Sequence, residues 1–255
     1  MLSQSQIESY RRDGFLCPLP VLPPEDLSRF QAGFAELEAE LGQEVRRMGQ
    51  THLFFPWAYD LATHPQVLDA VEGLLGSTLL VSGTVILCKP PRDPGYVAWH
   101  QDGVYSGWHL SPTTSAWIAL SPSLPENGCM RVIPGSHRDG LQQHDEGCFG
   151  GNMLQRGEEI RVEVDESKAR DLALRPGEMS LHDSGIIHGS GPNHSDMKRI
   201  GFIIRYATPA HRQRPGVEIL LARGETDAEH LKILRDVRPE YDTAEGLHWW
   251  RRADT

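Results

Sequence analysis

A chain of 255 residues, 39% hydrophobic and 24% charged, can bury a sizeable core, and β-rich barrels of this length often form one domain. Its formal charge of -10 opposes binding to nucleic-acid phosphates or anionic lipid, since the net field repels both. Cys17, Cys88, Cys129 and Cys148 are scattered and form no C-x-x-C pair, so free thiols in a reducing, cytoplasmic setting are expected rather than a disulfide framework or structural zinc.

The N-terminus, with Ser3, Gln4, Gln6 and Glu8, lacks the basic and then apolar order of a secretory signal. Ser3 and Gln6 form a capping-box pattern for a first helix, and Gly14 ends it before an extended, proline-rich stretch from Phe15 to Leu22. From Pro24 to Met48, Leu27, Phe30, Phe34, Leu37 and Leu41 recur at helical spacing, the stripe of a helix packed on a core. A third helix is expected after Thr63, with Pro65 in its first turn, Val67, Leu68, Val71, Leu74 and Leu75 facing inward, and Gly76 as the stop. Residues 1–78 thus read as mostly helical.

From Leu79 the texture changes to short β runs: Leu79 to Lys89, Val97 to Asp102, Thr114 to Leu120, Met130 to Ile133, Asp171 to Leu174, Met179 to His182 and Arg199 to Thr208. Pro90-Pro91, Pro125 to Gly128, Pro134-Gly135 and Pro176-Gly177 separate them. Many short strands at such intervals predict a sandwich or jelly roll over 79–222, and the run around Leu79 to Cys88 is too short and too interrupted to span a bilayer. The polar, glycine-bearing interval 140–168 is expected to cover the barrel mouth as a lid insertion. Val217 to Leu221 reads as one more strand and Thr226 to Arg235 as a helix, within a helical C-terminal tail, 223–255. There Trp249-Trp250 is expected to dock on its own domain or to supply a homodimer contact. The expectation is a single domain, 1–255, mainly β with flanking helices.

Chemistry concentrates at His100-Gln101-Asp102. Alternate side chains of a strand share a face, so His100 and Asp102 can reach one ion while Gln101 turns away. A second imidazole would complete the two-histidine, one-carboxylate set that holds Fe(II) from one side and leaves the other side open. His188, after the apolar Ile186-Ile187 pair, ranks ahead of His182, Asp183 and His194 for that place. His52, His64, His211, His230 and His248 have no partner at ligand spacing and are expected at the surface or at caps.

Several stretches, in order, resemble the phytanoyl-CoA dioxygenase family, and in particular its small bacterial members. They are Trp99-His100-Gln101-Asp102-Gly103, Ala116 to Ser121, Pro125 to His137, Arg175-Pro176-Gly177-Glu178, and His188 to Asn193, followed by Arg199. The resemblance implies a cupin-like double-stranded β-helix in which His100, Asp102 and His188 bind Fe(II). It likewise implies that Arg199 pairs with the distal carboxylate of 2-oxoglutarate, helped by Ser190, with Trp117 lining that pocket. A guanidinium fork suits a carboxylate, and an arginine inside a barrel needs an anion to offset its desolvation; an internal Asp or Glu is the other candidate. The implied reaction uses O2 to hydroxylate or otherwise oxidise an unactivated C–H bond of a small molecule, releasing succinate and CO2. Asp102 stands where related halogenases carry a small residue, which argues against chlorination.

Tyr105, Trp108, His109, Phe149, Asn152 and Asn193 are the candidates for the substrate rim. The sequence from Val104 to His109 departs from the pattern of bacterial relatives, so the substrate is not inherited from the resemblance. No clustered basic patch near the mouth offers itself to the phosphates of an acyl-CoA. A metal-dependent isomerase or binding protein on a cupin-type barrel is the competing reading, and an arginine placed like Arg199 is what such a protein would not need.

Overall fold

A computed structural model describes residues 1–104, 111–145, 147, 150–154, 159–212 and 217–253. The N-terminal elements are α1 (Gln4–Asp13), β1 (Phe15–Pro20), α2 (Pro24–Leu41), β2 (Arg47–Gly49), α3 (Pro56–Ala62) and α4 (Pro65–Leu75). Then come β3 (Leu79–Lys89), β4 (Val97–His100), β5 (Thr113–Ala119), β6 (Met130–Val132), β7 (His144–Asp145), β8 (Glu159–Ile160) and β9 (Arg170–Leu172). The chain continues with β10 (Glu178–Asp183), β11 (His188–Ser190), β12 (Arg199–Ala207), β13 (Glu218–Arg223), β14 (Lys232–Leu234) and α5 (Thr243–Ala253).

The larger sheet runs β1-β10-β5-β12-β3-β13-β14, with β2 also paired to β3; the smaller runs β4-β11-β6-β9. Together they make the jelly-roll core. The central strands of the larger sheet, β3, β5 and β12, are buried on both faces, which is why they read as near-continuous apolar runs. Phe202, Ile204 and Tyr206 of β12, with Ala116 and Ile118 of β5, pack outward against Phe30, Phe34 and Leu37 of α2 and Leu61 of α3. The alternate residues Trp117 and Ile203 turn the other way and meet Met130, Val132 and Leu172 of the smaller sheet. The functional groups lie in that inner layer.

Local signals set the helix ends. Ser3 and Gln6 form both capping-box bonds, and Gly14 takes the left-handed conformation at φ 84 that a C-cap favours. Pro65 starts α4. Several expectations are corrected. Helix α2 stops at Leu41, capped by left-handed Gly42, because the next residues are drawn into β2 against β3. Helix α3 and strand β2 had no distinct signal. The helix expected at Thr226 to Arg235 is absent; Lys232–Leu234 instead pairs in parallel with β13, so tertiary pairing overrides local pattern. The sheet therefore recruits β1, β2 and β14 from outside 79–222. In α5, Trp250 packs on the core and its Nε1 donates to Gly49 O at 2.9 Å, whereas Trp249 is 45% exposed. The two tryptophans do different things.

His52, His64 and His211 are buried, not superficial. The insertion at 140–168 contains the β7–β8 pair in its described part and is tied down by the buried Gln101. That side chain donates to Gly140 O and Gly185 O and accepts from Gln142 N. Cys17, Cys88 and Cys129 are free thiols. Among the described residues, no helix is long and apolar enough to cross a membrane.

Candidate active site

Strand β4 delivers His100 at its end, and the following turn delivers Asp102. Strand β11 pairs antiparallel with β4 so that His188 lies directly opposite His100. One ligand atom from each of the three falls within 4.8 Å of the others, and all three residues are buried. The His100 and His188 ring centroids are 4.1 Å apart, and His100 Nε2 is 3.8 Å from Asp102 Oδ1.

Hydrogen bonds prepare these groups for a cation. His100 Nδ1 donates to Ala98 O at 2.9 Å and His188 Nδ1 to Ile186 O at 3.0 Å. A carbonyl only accepts, so in both rings the proton sits on Nδ1 and the Nε2 lone pair faces the partner ligands. Burial pushes both imidazoles down, His188 well below its ordinary value with His100 and His182 adding to the effect. Burial pushes the Asp102 carboxyl up, but Arg205, His182, His188 and His100 together hold it well below the usual carboxylate range. Ser115 Oγ donates to Asp102 Oδ2 at 3.0 Å. Neutral imidazoles beside an ionised carboxylate form the donor set a ferrous ion needs.

Of the rival ligands, Asp183 accepts from Gly185 N, and His194 lies outside the cluster. His182 lies inside the site but behind the carboxylate: its Nε2 is 3.7 Å from Asp102 Oδ2 and its ring 4.8 Å from that of His188.

A second cluster lies at the closed end of a cavity of about 440 Å³ that reaches from the three ligands to Arg199. Arg199, at the start of β12, is 1% exposed. Burial lowers its pKa to about 10, which leaves it charged at neutral pH. Nη1 donates to Gly128 O, while Nε and Nη2 have no hydrogen-bond partner among the described residues. The Trp117 ring centroid is 5.4 Å from the guanidinium carbon. That position depends on Gly201, where a Cβ would lie 2.1 Å from the indole. No internal carboxylate pairs with Arg199 among the described residues, so the two orphaned donors fit an incoming anion.

Lys89 is a residue the sequence reading missed. It pairs in register with Arg199, is fully buried, and donates from Nζ to Ser190 Oγ at 2.7 Å, to Ser190 O and to Gly191 O. Burial, followed by Arg199, lowers its pKa to about 6. The available signal was a lysine at the end of the otherwise apolar run from Leu79.

The expected substrate rim is placed only in part. Tyr105, Trp108, His109 and Phe149 lie outside the described residues. Asn152 is not among the cavity-lining residues; its Oδ1 accepts from Ala98 N and Leu154 N, while the adjacent Met153 and Leu154 do line it. Asn193 is corrected: its buried amide donates to Lys89 O, Pro90 O and Met197 O, tying a loop to β3 away from the cavity. Arg47, Gln50 and Arg205 line the cavity without having been anticipated, and His182, weighed in the sequence only as a rival ligand, lines it too.

Among solved structures, one described as a non-heme monooxygenase, ThoJ in its apo form, is 32% identical over 98% of this chain and 94% of its own, with a TM-score of 0.80. A nickel complex of ThoJ is 29% identical with a TM-score of 0.75, covering 98% of this chain and 97% of that one. A probable alpha-ketoglutarate-dependent hypophosphite dioxygenase of Stutzerimonas stutzeri is 28% identical over 68% of this chain; the match spans 61% of that protein's length. An ectoine dioxygenase of Nocardia farcinica is 26% identical, over 74% of this chain and 72% of its own. The family model for phytanoyl-CoA dioxygenase matches residues 10–201, from the first helix through the three clustered ligands to the buried arginine. With that span taking in most of the chain, the three clustered ligands and Arg199, the chain belongs to the phytanoyl-CoA dioxygenase (PhyH) family.

Proposed function

We propose that this protein is a non-haem Fe(II)- and 2-oxoglutarate-dependent dioxygenase that hydroxylates an unactivated C–H bond of a small molecule, with release of succinate and CO2. The observation that carries the reading is a three-ligand cluster and a buried arginine with two unsatisfied nitrogens in one cavity. When bound, iron, the oxo acid and O2 supply the oxidising chemistry; the protein contributes placement and exclusion of water.

His100, Asp102 and His188 hold the metal, with both imidazoles locked in one tautomer by backbone carbonyls. Arg199 donates from Nε and Nη2 to the distal carboxylate, and Trp117 covers the guanidinium face. Lys89 Nζ donates to Ser190 Oγ, and the hydroxyl, which can donate while it accepts, has a proton to offer the same carboxylate. The aspartate at position 102 fills the place a halide would take, which supports oxygenation over chlorination. Relatives named for hypophosphite and for ectoine support a small substrate. The free thiols Cys17, Cys88 and Cys129 support the reducing cytoplasm as its location, and the charge of -10 supports a partner other than nucleic acid.

The test is anaerobic addition of Fe(II) and 2-oxoglutarate. A weak visible charge-transfer band, followed by succinate once air is admitted, is expected. Its absence with Fe(II) demonstrably bound would favour the isomerase or binding reading.

A further inference from the structure

Strand β12 carries a second arginine into the same cavity. Arg199, Ile203 and Arg205 all line it, as alternate residues of one strand must. The two arginines are six residues apart, roughly 20 Å along the strand. Arg199 lies at the closed end, whereas 23% of the Arg205 side chain is accessible and its Nη2 stands 3.4 Å from Asp102 Oδ1. The second guanidinium therefore flanks the metal ligands on the side away from the first.

Beside it stands a polar group under unusual constraint. Arg205 is the cross-strand partner of Gly83 on β3, so both face the cavity from adjacent positions. Gly83 has no side chain, and the Gln50 amide occupies the space above it: a Cβ at Gly83 would lie 3.1 Å from Gln50 Oε1. Gln50 sits in left-handed backbone, at φ 55 and ψ 28, where a long side chain is uncommon. Its Oε1 is buried and has no hydrogen-bond partner among the described residues. Strain and an unsatisfied acceptor coincide beside a cation, within a cavity whose other walls include Val85, Ile203, Met153 and Leu154.

Resting on the dioxygenase reading, we infer that the substrate carries a carboxylate bound by Arg205 and an N–H or O–H group that donates to Gln50 Oε1. The planar guanidinium fork matches a carboxylate, and the amide oxygen needs a donor. The apolar walls hold the body of the molecule beside those contacts, within reach of the metal ligands. An acylated amino acid has the required chemistry: an acid, an amide N–H and a C–H to be oxidised. If Arg205 served only to position Asp102, a carboxylate on the ligand would make no difference.

The probes are N-acetyl amino acids of graded side-chain size and their matched C-terminal amides, titrated anaerobically into protein loaded with Fe(II) and 2-oxoglutarate. Binding is followed by perturbation of the charge-transfer band and by calorimetry. At least one acid is expected to bind about tenfold tighter than its amide, and Arg205→Gln to abolish that preference. Gly83→Val, which fills the space between the two side chains, is expected to weaken acid binding and serves if Arg205→Gln does not fold. No band in the wild-type protein would sink the dioxygenase reading itself. A normal band with acids and amides bound equally, with no acid bound, or with a preference that survives Arg205→Gln overturns this inference alone; so does unchanged acid affinity in Gly83→Val.

Discussion

Arg199 is the residue on which the cosubstrate argument turns, because a charged group only 1% exposed with two idle donors is costly unless an anion joins it. Hydrogen bonds to charged groups contribute about 1.5–3 kcal/mol each and two are lost, so Arg199→Ala should weaken 2-oxoglutarate binding by about 100-fold or more, while Fe(II) affinity, measured separately by calorimetry, stays near wild type. Asp102→Ala removes the one anionic ligand and should abolish both tight Fe(II) binding and succinate formation. Gly201→Ala should act at a distance: the added Cβ meets the Trp117 indole at 2.1 Å, the ring must leave the guanidinium, and the KM for 2-oxoglutarate rises with the metal still bound. At this scale the candidate metal ligands were legible because His-x-Asp at a strand end, a later histidine and then an arginine occur in order, although Asp102 stands in the turn after β4 and not on the strand itself. Lys89 was not, since one lysine ending an apolar run looks like any strand terminus. Arg205 and Gln50 were not legible either, because only the pairing of β2 and β12 with β3 brings them together.

Among the elements, long strands buried on both faces were readable from composition, and Leu79–Lys89 and Arg199–Ala207 lie where their β-branched and apolar runs put them. Segments whose state is decided by a partner were not: Arg47–Gly49 is extended because β3 offers it an edge, and Lys232–Leu234 because β13 does. The insertion is the element whose anchoring can be checked most directly. Gln101 holds it through Gly140 O and Gln142 N, both from one buried amide. Gln101→Ala should leave those groups without partners, cost about 1–3 kcal/mol of local stability, and accelerate hydrogen exchange over residues 140–145 more than in β12.

For the molecule as a whole, buried histidines set the response to acid. Burial lowers His52 and His211 to about 4, whereas an unfolded histidine titrates near about 6.5. In the window between those values the unfolded chain takes up protons that the native chain refuses, so stability is lost as pH falls from about 6.5 towards 4. His100, His188 and Asp102, all lowered in the fold, act in the same direction. Urea unfolding of the metal-free protein should show a lower midpoint at pH 5 than at pH 7, and His52→Gln should flatten that difference. The bond from the Trp250 indole to Gly49 O has a wider reach. Gly49 is a wall residue of the cavity and the neighbour of Gln50, so the C-terminal helix acts as a strut for that wall. A fusion tag or binding protein that pried this helix away would blunt selectivity among substrates first, and leave iron loading almost as it was.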